Sequence, residues 1–329
     1  MRVISIIIPF LNAEAWLAEA VESALGQTGI DSEIVCVDNG STDGSLGVAR
    51  RFEPAVRVIA CPSGGVSAAR NRGIAGTLGE WLVFLDADDL LLSGTLGRRL
   101  NRAASTGADV IVCDWRELID HESAINEGPI RAFEAPFPRG EVELACAARL
   151  WAPLAALMYR RSLVEEIGGF RRDLPIIQDA RFLFDAARHG ARFARSLHIG
   201  ACYRRRPQSL SRRDPAGFWR DVFLNGTQIE ALWREHGGLT TAQRTVLADI
   251  YNGAAHGLFR ARDPGFRDAL ASLRESGLPI GWRNRIVELV TDMSGQRAAV
   301  RLAELWTTVR RRQLGAGRTG TKLRLGRVG

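Results

Sequence analysis

Residues 3–12 read VISIIIPFLN, and this stretch decides the fold. Its first six residues form a nearly continuous β-branched run, which is typical of a strand buried on both faces in a parallel sheet. The segments EIVCV (residues 33–37) and WLVFL (residues 81–85) repeat the pattern. Segments with helical spacing separate these runs, so the sequence predicts an α/β fold with a mostly parallel sheet flanked by helices.

Polar side chains follow three of the predicted strands at the point where each strand ends. Asn12 follows the strand at the start of the chain, Asp38 and Asn39 follow the EIVCV strand, and Asp86 and Asp88 follow the WLVFL strand. Ligands of such sheets bind beyond the carboxyl ends of the strands. We therefore expect a binding site at this edge.

The length and the pattern beyond Pro215 predict a main domain followed by a helical appendage. We expect a sheet domain at residues 1–215, a helical region at 216–312 and a disordered basic tail at 313–329. Segment 116–139 is expected to be irregular or lid-like, and segment 198–203 to be an edge strand.

The charge of the chain excludes several classes of protein. Lys322 is the only lysine, so a Schiff-base enzyme and a Walker-type phosphate loop are excluded. Residues 310–329 carry seven basic groups and no acidic one, which equals the net charge of +7. The basic character therefore belongs to a tail, and we expect no nucleic-acid partner.

The five cysteines have no metal-ligand spacing and are expected to be buried thiols. No signal peptide and no apolar stretch of membrane-spanning length is found, so we expect a cytoplasmic protein.

The segment FLDADDL (residues 84–90) places three carboxylates at the end of a buried strand. Such a cluster favours a hard cation, and Mg²⁺ or Mn²⁺ prefers one or two carboxylates together with phosphate oxygens. An alternative is that Asp88 or Asp89 caps a following helix. A phosphatase of the haloacid-dehalogenase type is disfavoured, because its motif follows the first strand and works with a lysine.

Two other groups have a functional and a structural interpretation. Asp38 and Asn39 can recognise a base or ribose by hydrogen bonds, but the sequence Asp-Asn-Gly is also typical of a turn. Arg70, which follows Gly64-Gly65, can reach a phosphate or lie on the surface of a short helix.

Four motifs in order resemble the nucleotide-binding half of glycosyltransferase family 2: IIIPFLNAEAWLAEAVESALGQT, EIVCVDNGSTDGS, GGVSAARNRGI and GEWLVFLDADD. A weaker resemblance continues to about residue 211. The resemblance to the family implies a GT-A fold, a nucleoside-diphosphate sugar donor, a divalent metal and inversion at the anomeric carbon.

The resemblance also implies roles for single residues. The nucleotide-sugar site would comprise Pro9, Phe10, Asn12, Glu14, Asp38, Asn39, Arg70, Asp86, Ala87 and Gln178. Asp88, with Asp86, would hold the metal. Asp179 matches the acidic position that serves as general base, although an aspartate at the start of a helix is also a common N-cap.

The chain departs from the family pattern at three places. The common Asp-Asp-Gly step is Asp38-Asn39-Gly40, and Gln178 stands where an acidic residue often precedes the base. Arg205 and Arg206 occupy the region in which a histidine often sits, so a histidine contact to metal or diphosphate is not expected there.

Residues 297–312 place Val300, Leu305, Trp306 and Val309 at near-helical spacing before three arginines. A basic amphipathic helix of this kind can lie on an anionic membrane. The alternative is a helix that packs its apolar side on the catalytic domain.

Taken together, these features predict an inverting, metal-dependent glycosyltransferase of the hexosyltransferase type, acting on a saccharide or lipid-linked acceptor in cell-surface polysaccharide synthesis. The alternatives are a metal-dependent nucleotidyltransferase and a sugar-nucleotide-binding protein that has lost catalysis.

Overall fold

The structure is a computed structural model that describes residues 4–62, 64–121, 124–133, 141–148, 150–206, 209–295, 298 and 300–301. The predicted tail at 313–329 and most of the amphipathic segment at 297–312 lie outside the described residues. The chain divides into two compact units, Met1–Val246 and Leu247–Gly329. After residue 205 all the described elements are helices, and the domain boundary expected after residue 215 stays a prediction.

The first unit contains both the strands and most of the helices. The strands are β1 (Ile4–Phe10), β2 (Ser32–Asp38), β3 (Arg57–Ala60), β4 (Trp81–Phe84), β5 (Leu90–Leu91), β6 (Val110–His121), β7 (Ala124–Arg131), β8 (Leu157–Arg160) and β9 (Phe193–Arg205). The helices are α1 (Leu17–Leu25), α2 (Ser45–Arg50), α3 (Gly65–Ala75), α4 (Thr95–Thr106), α5 (Glu141–Ala147), α6 (Arg161–Ile167), α7 (Gln178–Arg188), α8 (Leu210–Arg213) and α9 (Pro215–Arg234).

The sheet has a parallel half and a mixed half, which together give the predicted α/β class. Within the described chain its order is β3-β2-β1-β4-β8-β6-β9-β5, and β7 pairs with β6. Strands β3, β2, β1 and β4 are all parallel. Strand β8 is antiparallel to both β4 and β6, so β6 runs in the same direction as β4. The carboxyl ends of β1, β2, β4 and β6 therefore lie at one edge.

Two expectations about the second half of the sheet are wrong. Segment 116–139 is not irregular throughout, because residues 115–121 of β6 pair antiparallel with residues 124–131 of β7. Strand β9 is not an edge strand, because it pairs with β6 on one side and with β5 on the other. Charged side chains on β6 and β7 weakened the hydrophobic alternation by which a strand is recognised in sequence.

Helix α3 packs closely on β1 through a glycine. A Cβ atom built on Gly73 would lie 2.3 Å from Cγ2 of Ile7, a fully buried residue of β1. The glycine therefore allows the helix that carries Arg70 to approach the sheet.

The second unit is helical and contains most of α10 (Thr241–Arg260), with α11 (Phe266–Glu275) and α12 (Trp282–Ser294). Phe259 and Phe266 pack edge to face at 5.7 Å. The amide of Asn252 donates to the carbonyl of Pro279 at 2.9 Å and fixes the turn before α12. Among the described residues, no helix has the length and apolarity required to cross a bilayer.

Replacing Gly73 with alanine should lower the free energy of unfolding by about 1–3 kcal/mol, because the added methyl overpacks the contact with Ile7. Gly47 of α2 is the matched control, since nothing lies within 4 Å of its added Cβ. Gly47→Ala should leave stability unchanged or raise it slightly through helix propensity. Urea unfolding of both variants tests this, and equal effects would refute the close-packing argument.

Candidate functional site

The carboxyl ends of the parallel strands bring the predicted polar residues to one edge. Phe10 pairs with Asp38 at the ends of β1 and β2, and Ile7 pairs with Phe84 of β4. Pro9 and Phe10 are buried, so their side chains belong to the apolar core at this edge and are not exposed at the surface.

Asn12 and Glu14 hold the loop that follows β2. Asn12 has a positive φ of 50°, and its Oδ1 accepts a hydrogen bond of 2.8 Å from the backbone N–H of Thr42. Oε2 of Glu14 accepts from the N–H of Gly44 at 3.0 Å. Gly44 occupies the N-cap position of α2, and Oδ1 of Asp43 accepts from the N–H of Ser45 at 3.0 Å. The loop is therefore held by residues of the segment that follows β1.

Asp38 and Asn39 end β2 with different environments. Oδ1 of buried Asp38 accepts from the N–H of Ser41 at 2.9 Å, which is the turn chemistry expected of this step. The N–H of Asn39 donates to the carbonyl of Phe10 at 2.9 Å. Its buried Oδ1 has no hydrogen-bond partner among the described residues, which leaves one acceptor available at this edge.

Arg70 forms an ion pair with Asp86. Its Nη2 lies 2.6 Å from Oδ1 of Asp86, and its guanidinium stacks 5.1 Å from the ring centre of Phe170. The surface interpretation of Arg70 is wrong, because its side chain is only 3% exposed whereas that of Asp86 is 37% exposed. Within the described chain, Nε and Nη1 of Arg70 have no hydrogen-bond partner.

Asp88 forms a second ion pair, with Arg206. Nε of Arg206 lies 2.7 Å from Oδ2 of Asp88, and the guanidinium stacks 4.1 Å from the ring centre of Trp16. Burial raises the pKa of Asp88, Arg206 lowers it and Asp86 raises it. Arg205 does not join this pair, because its Nη1 donates to Glu117 of β6 at 3.0 Å.

Asp89 ties the carboxylate turn to the end of β9. Its Oδ1 accepts from the N–H of Arg204 at 2.8 Å, and the guanidinium of Arg204 donates to the carbonyl of Asp88 at 2.9 Å. Burial raises the pKa of Asp89 well above its usual range, and Asp88 and Asp86 raise it further. The helix-cap alternative for Asp88 and Asp89 is wrong, because β5 follows them. Ala87, between Asp86 and Asp88, is buried.

Asp179 lies in the first turn of α7, and Trp151 holds its carboxylate. The indole N–H of Trp151 donates to Oδ2 at 2.6 Å, and the N–H of Ala180 donates to Oδ1 at 2.8 Å. The N-cap of α7 is Ile177, so the capping interpretation of Asp179 is wrong. Gln178 is buried, and its Oε1 has no hydrogen-bond partner in the described part of the chain.

Charge effects link Asp179 to the strand edge. Burial raises the pKa of Asp179, whereas the Trp151 hydrogen bond and the charge of Arg70 lower it and the charge of Asp86 raises it. Tyr203 lies among the same carboxylates. Burial is the main cause of its raised pKa, and the negative charges of Asp89, Asp179, Asp86 and Asp88 raise it further. The structure therefore gathers the end of β4, the start of α7 and the end of β9 around one site.

Sequence reasoning missed the aromatic residues of this site. Trp151 packs against Tyr203 at 5.3 Å and against Trp115 at 6.4 Å between ring centres. Trp16 stacks on the guanidinium of Arg206. Each contact joins residues far apart in the chain, and no local spacing signals such pairing.

The donor atoms at the edge fit a divalent cation that takes most of its ligands from a substrate. Asp86 and Asp88 supply hard carboxylate oxygens, and the raised pKa of Asp88 reflects a buried charge that a cation offsets. Among the described residues, no three His, Cys, Asp or Glu side chains converge as a metal cage. A cation held by Asp86 and Asp88 would therefore need its remaining ligands from outside the described side chains.

Comparison with known proteins gives a family match and distant relatives. Residues 5–168 match the model of glycosyl transferase family 2. An uncharacterized glycosyltransferase, EpsJ, of Bacillus subtilis is 30% identical over 63% of this chain, and the match spans only 62% of EpsJ. The succinoglycan biosynthesis protein ExoO of Rhizobium meliloti is 27% identical over 95% of this chain and 94% of that protein.

Among solved structures, S. aureus TarS in complex with UDP-GlcNAc matches with a TM-score of 0.63 and 20% identity. The match covers 91% of this chain and 88% of that one. At this identity the likeness supports the fold, which is the GT-A type that the sequence predicted.

The two ends of the Arg70–Asp86 pair should respond unequally to mutation. Asp86→Ala leaves a buried guanidinium without its counter-ion, so it should lower the free energy of unfolding by about 3 kcal/mol. Arg70→Met leaves a carboxylate that reaches solvent and should cost about 1–2 kcal/mol. Arg267→Met, which removes an exposed ion pair with Asp292, should cost less than about 1 kcal/mol. Urea unfolding checks the order, and a costlier Arg70→Met would contradict it.

Proposed function

Because the chain belongs to glycosyltransferase family 2, we propose that it transfers a sugar from a nucleoside-diphosphate donor to an acceptor hydroxyl, with inversion at the anomeric carbon. The proposed catalytic domain is residues 1–215. The observation that carries the proposal is the position of the Asp179 carboxylate, which Trp151 holds within the electrostatic influence of Arg70 and Asp86.

The donor is proposed to lie across the carboxyl ends of β1, β2 and β4. The loop fastened by Asn12 and Glu14 would border the base and ribose, and the free Oδ1 of Asn39 and the carboxylate of Asp38 would accept hydrogen bonds there. Arg70 and Asp86 would face the ribose or diphosphate. The partner-free Nε and Nη1 of Arg70 support this assignment, because a buried donor without an acceptor costs free energy that a phosphate oxygen would recover.

Asp88, with Asp86, is the proposed holder of Mg²⁺ or Mn²⁺. When bound, the cation neutralises charge that develops on the departing diphosphate. Arg206 neutralises Asp88 through their ion pair and is placed to meet the same diphosphate. This arrangement supports a role for arginine where a histidine is common in the family.

Asp179 is the proposed general base. In direct displacement, the acceptor oxygen forms a bond to the anomeric carbon while the bond from that carbon to the diphosphate breaks. The proton of the acceptor hydroxyl passes to a carboxylate oxygen of Asp179. The two N–H donors to this carboxylate fix its orientation. The buried setting raises its pKa, which increases its basicity once it is ionised.

The acceptor is proposed to be a saccharide or a lipid-linked saccharide used in polysaccharide synthesis. The name of the relative ExoO supports this setting, since that protein is described as acting in succinoglycan biosynthesis. The aromatic rings of Trp151 and Tyr203 beside Asp179 offer apolar faces on which a sugar ring can pack.

Asp179→Asn should abolish most turnover while leaving donor binding intact. A screen of UDP, GDP, dTDP and their sugars for thermal stabilisation, with and without Mn²⁺, first identifies the donor, because a ligand that binds only the folded protein raises its Tm. The asparagine variant should then lose at least about 100-fold in kcat, since it cannot take the acceptor proton. Its Tm shift with the donor should match that of the unchanged protein.

Asp185→Asn is the control on the same helix. Oδ1 of Asp185 accepts a hydrogen bond of 2.8 Å from Nε of Arg181, and this contact stabilises α7. This change should lower Tm yet keep turnover within about twofold, because Arg181 retains other hydrogen-bond acceptors. Normal turnover in Asp179→Asn would refute the base, whereas no stabilisation of the unchanged protein by any nucleotide would refute donor binding.

Trp151→Phe should move the acid limb of the kcat–pH profile to higher pH. The indole N–H stabilises the ionised carboxylate of Asp179, so its loss raises the pKa of Asp179 and a higher pH is needed to keep the base ionised. The charged groups Arg70 and Asp86, which also act on Asp179, are unchanged by this substitution. We expect kcat near neutral pH to fall about tenfold.

Trp115→Phe is the matched control for this experiment. Its ring contacts Trp151, but in the described part of the chain its indole N–H makes no hydrogen bond to Asp179. It should therefore keep the original pH profile. A profile that shifts equally in both variants, or in neither, would contradict the role of the Trp151 hydrogen bond.

A further inference from the structure

Helix α12 exposes its apolar side chains and buries polar ones. Trp282, Ile286, Leu289 and Met293 are between 52% and 79% exposed. Their spacing of four, three and four residues places them on one face of the helix. Asn284 and Thr291 of the same helix are only 3% and 4% exposed. This is the reverse of the pattern of a helix whose outer surface faces water.

The apolar stripe, which we define as Trp282, Ile286, Leu289 and Met293, is continuous rather than scattered. Single exposed apolar residues are common on protein surfaces, but a contiguous apolar strip marks a surface that meets a partner. Trp282 stands at one end of the stripe, and tryptophan favours the boundary between apolar and aqueous surroundings.

The charges beside the stripe indicate what kind of partner it meets. The two acidic residues in the second half of α12 are neutralised from α11: Glu288 pairs with Arg274, and Asp292 pairs with Arg267 at 2.9 Å. Arg283 and Arg285 form no ion pair with any described residue. Arg283 stacks 5.4 Å from the ring centre of Trp282, at the end of the stripe.

The helix therefore combines an apolar stripe with two arginines at its N-terminal end that form no ion pair with a described residue. The sequence that follows adds to the charge, because residues 310–329 hold seven basic groups and no acidic one. A second copy of the same surface would bring like charges together, which disfavours self-association. Anionic lipid head groups complement these charges, and the interior of a bilayer accepts the stripe.

We propose that α12 is a membrane-binding helix that lies in the plane of an anionic lipid surface, with Trp282, Ile286, Leu289 and Met293 inserted among the acyl chains. The proposal concerns attachment and does not require sugar transfer. It goes beyond the segment at 297–312, which the sequence alone suggested, by assigning the contact to a helix whose side chains are described.

Flotation of the full chain with lipid vesicles tests the proposal. The protein should float with vesicles rich in phosphatidylglycerol and much less with vesicles of phosphatidylcholine alone. Added salt should weaken flotation, because arginines contribute through charge. The double variant Leu289→Gln, Met293→Gln should reduce the partition coefficient about tenfold, since two apolar side chains no longer enter the bilayer.

Leu78→Gln with Leu197→Gln is the matched control. Both leucines are exposed, at 91% and 82%, and lie in the first unit. This control should bind vesicles as the unchanged protein does, which separates the stripe from a general loss of surface apolarity. Circular dichroism and Tm verify that both double variants keep their fold.

Three results would overturn the proposal. The first is equal flotation of the stripe variant and the unchanged protein. The second is no preference of the unchanged protein for anionic vesicles. The third is a dimer in sedimentation that the stripe variant converts to monomer, without vesicle binding by the unchanged protein, which would make the stripe a contact between two copies of the chain.

Discussion

The constraint on which the site depends is the gathering of carboxylates at one edge of a parallel sheet. Such charges repel one another and lose hydration on burial, so each must be compensated separately. The structure uses a different group for each carboxylate. Asp38 accepts from the N–H of Ser41, Asp86 pairs with Arg70, Asp88 with Arg206, Asp89 accepts from the N–H of Arg204, and Asp179 accepts from Trp151.

This compensation also determines how distant segments meet. Arg204 joins the end of β9 to two of them. Its N–H donates to Asp89 and its guanidinium to the carbonyl of Asp88 in the carboxylate turn, and its Nη2 lies 2.7 Å from Glu19 of α1. The end of β9 is thereby fixed against the carboxylate turn, and Tyr203 and Arg206 are fixed with it. Guanidinium suits this task because it stays charged when buried and presents several donors in a planar fork. Lysine does not contribute here, since Lys322 is the only one in the chain.

The sequence was sufficient where the determining signal is local. The buried runs of β1, β2 and β4 and the polar residues that follow them predicted the parallel half of the sheet and the edge at which the site lies. It was insufficient where the signal is tertiary. Strands β6 and β7 carry charged pairs such as Glu117 with Arg131, which obscure the alternation of apolar and polar residues. The contact between Trp151 and Asp179 forms only when the chain folds. The capping alternatives for Asp88 and Asp179 were also open until the neighbouring elements were known.

The two ion pairs at the carboxylate turn suggest how the edge changes when a donor binds. Neither pair is sealed from solvent: Asp86 is 37% exposed in the first pair, and Arg206 and Asp88 are 27% and 21% exposed in the second. Asp88 cannot offer the same oxygen to Arg206 and to a cation at full strength. If the proposed diphosphate and cation bound here, the diphosphate would supply the negative charge that Arg206 would lose on leaving Asp88, and the arginine would stay paired. The stacking of Arg206 on Trp16 keeps its guanidinium beside the edge during that exchange. On this argument the proposed donor site stays electrically balanced both before and after the ligand enters.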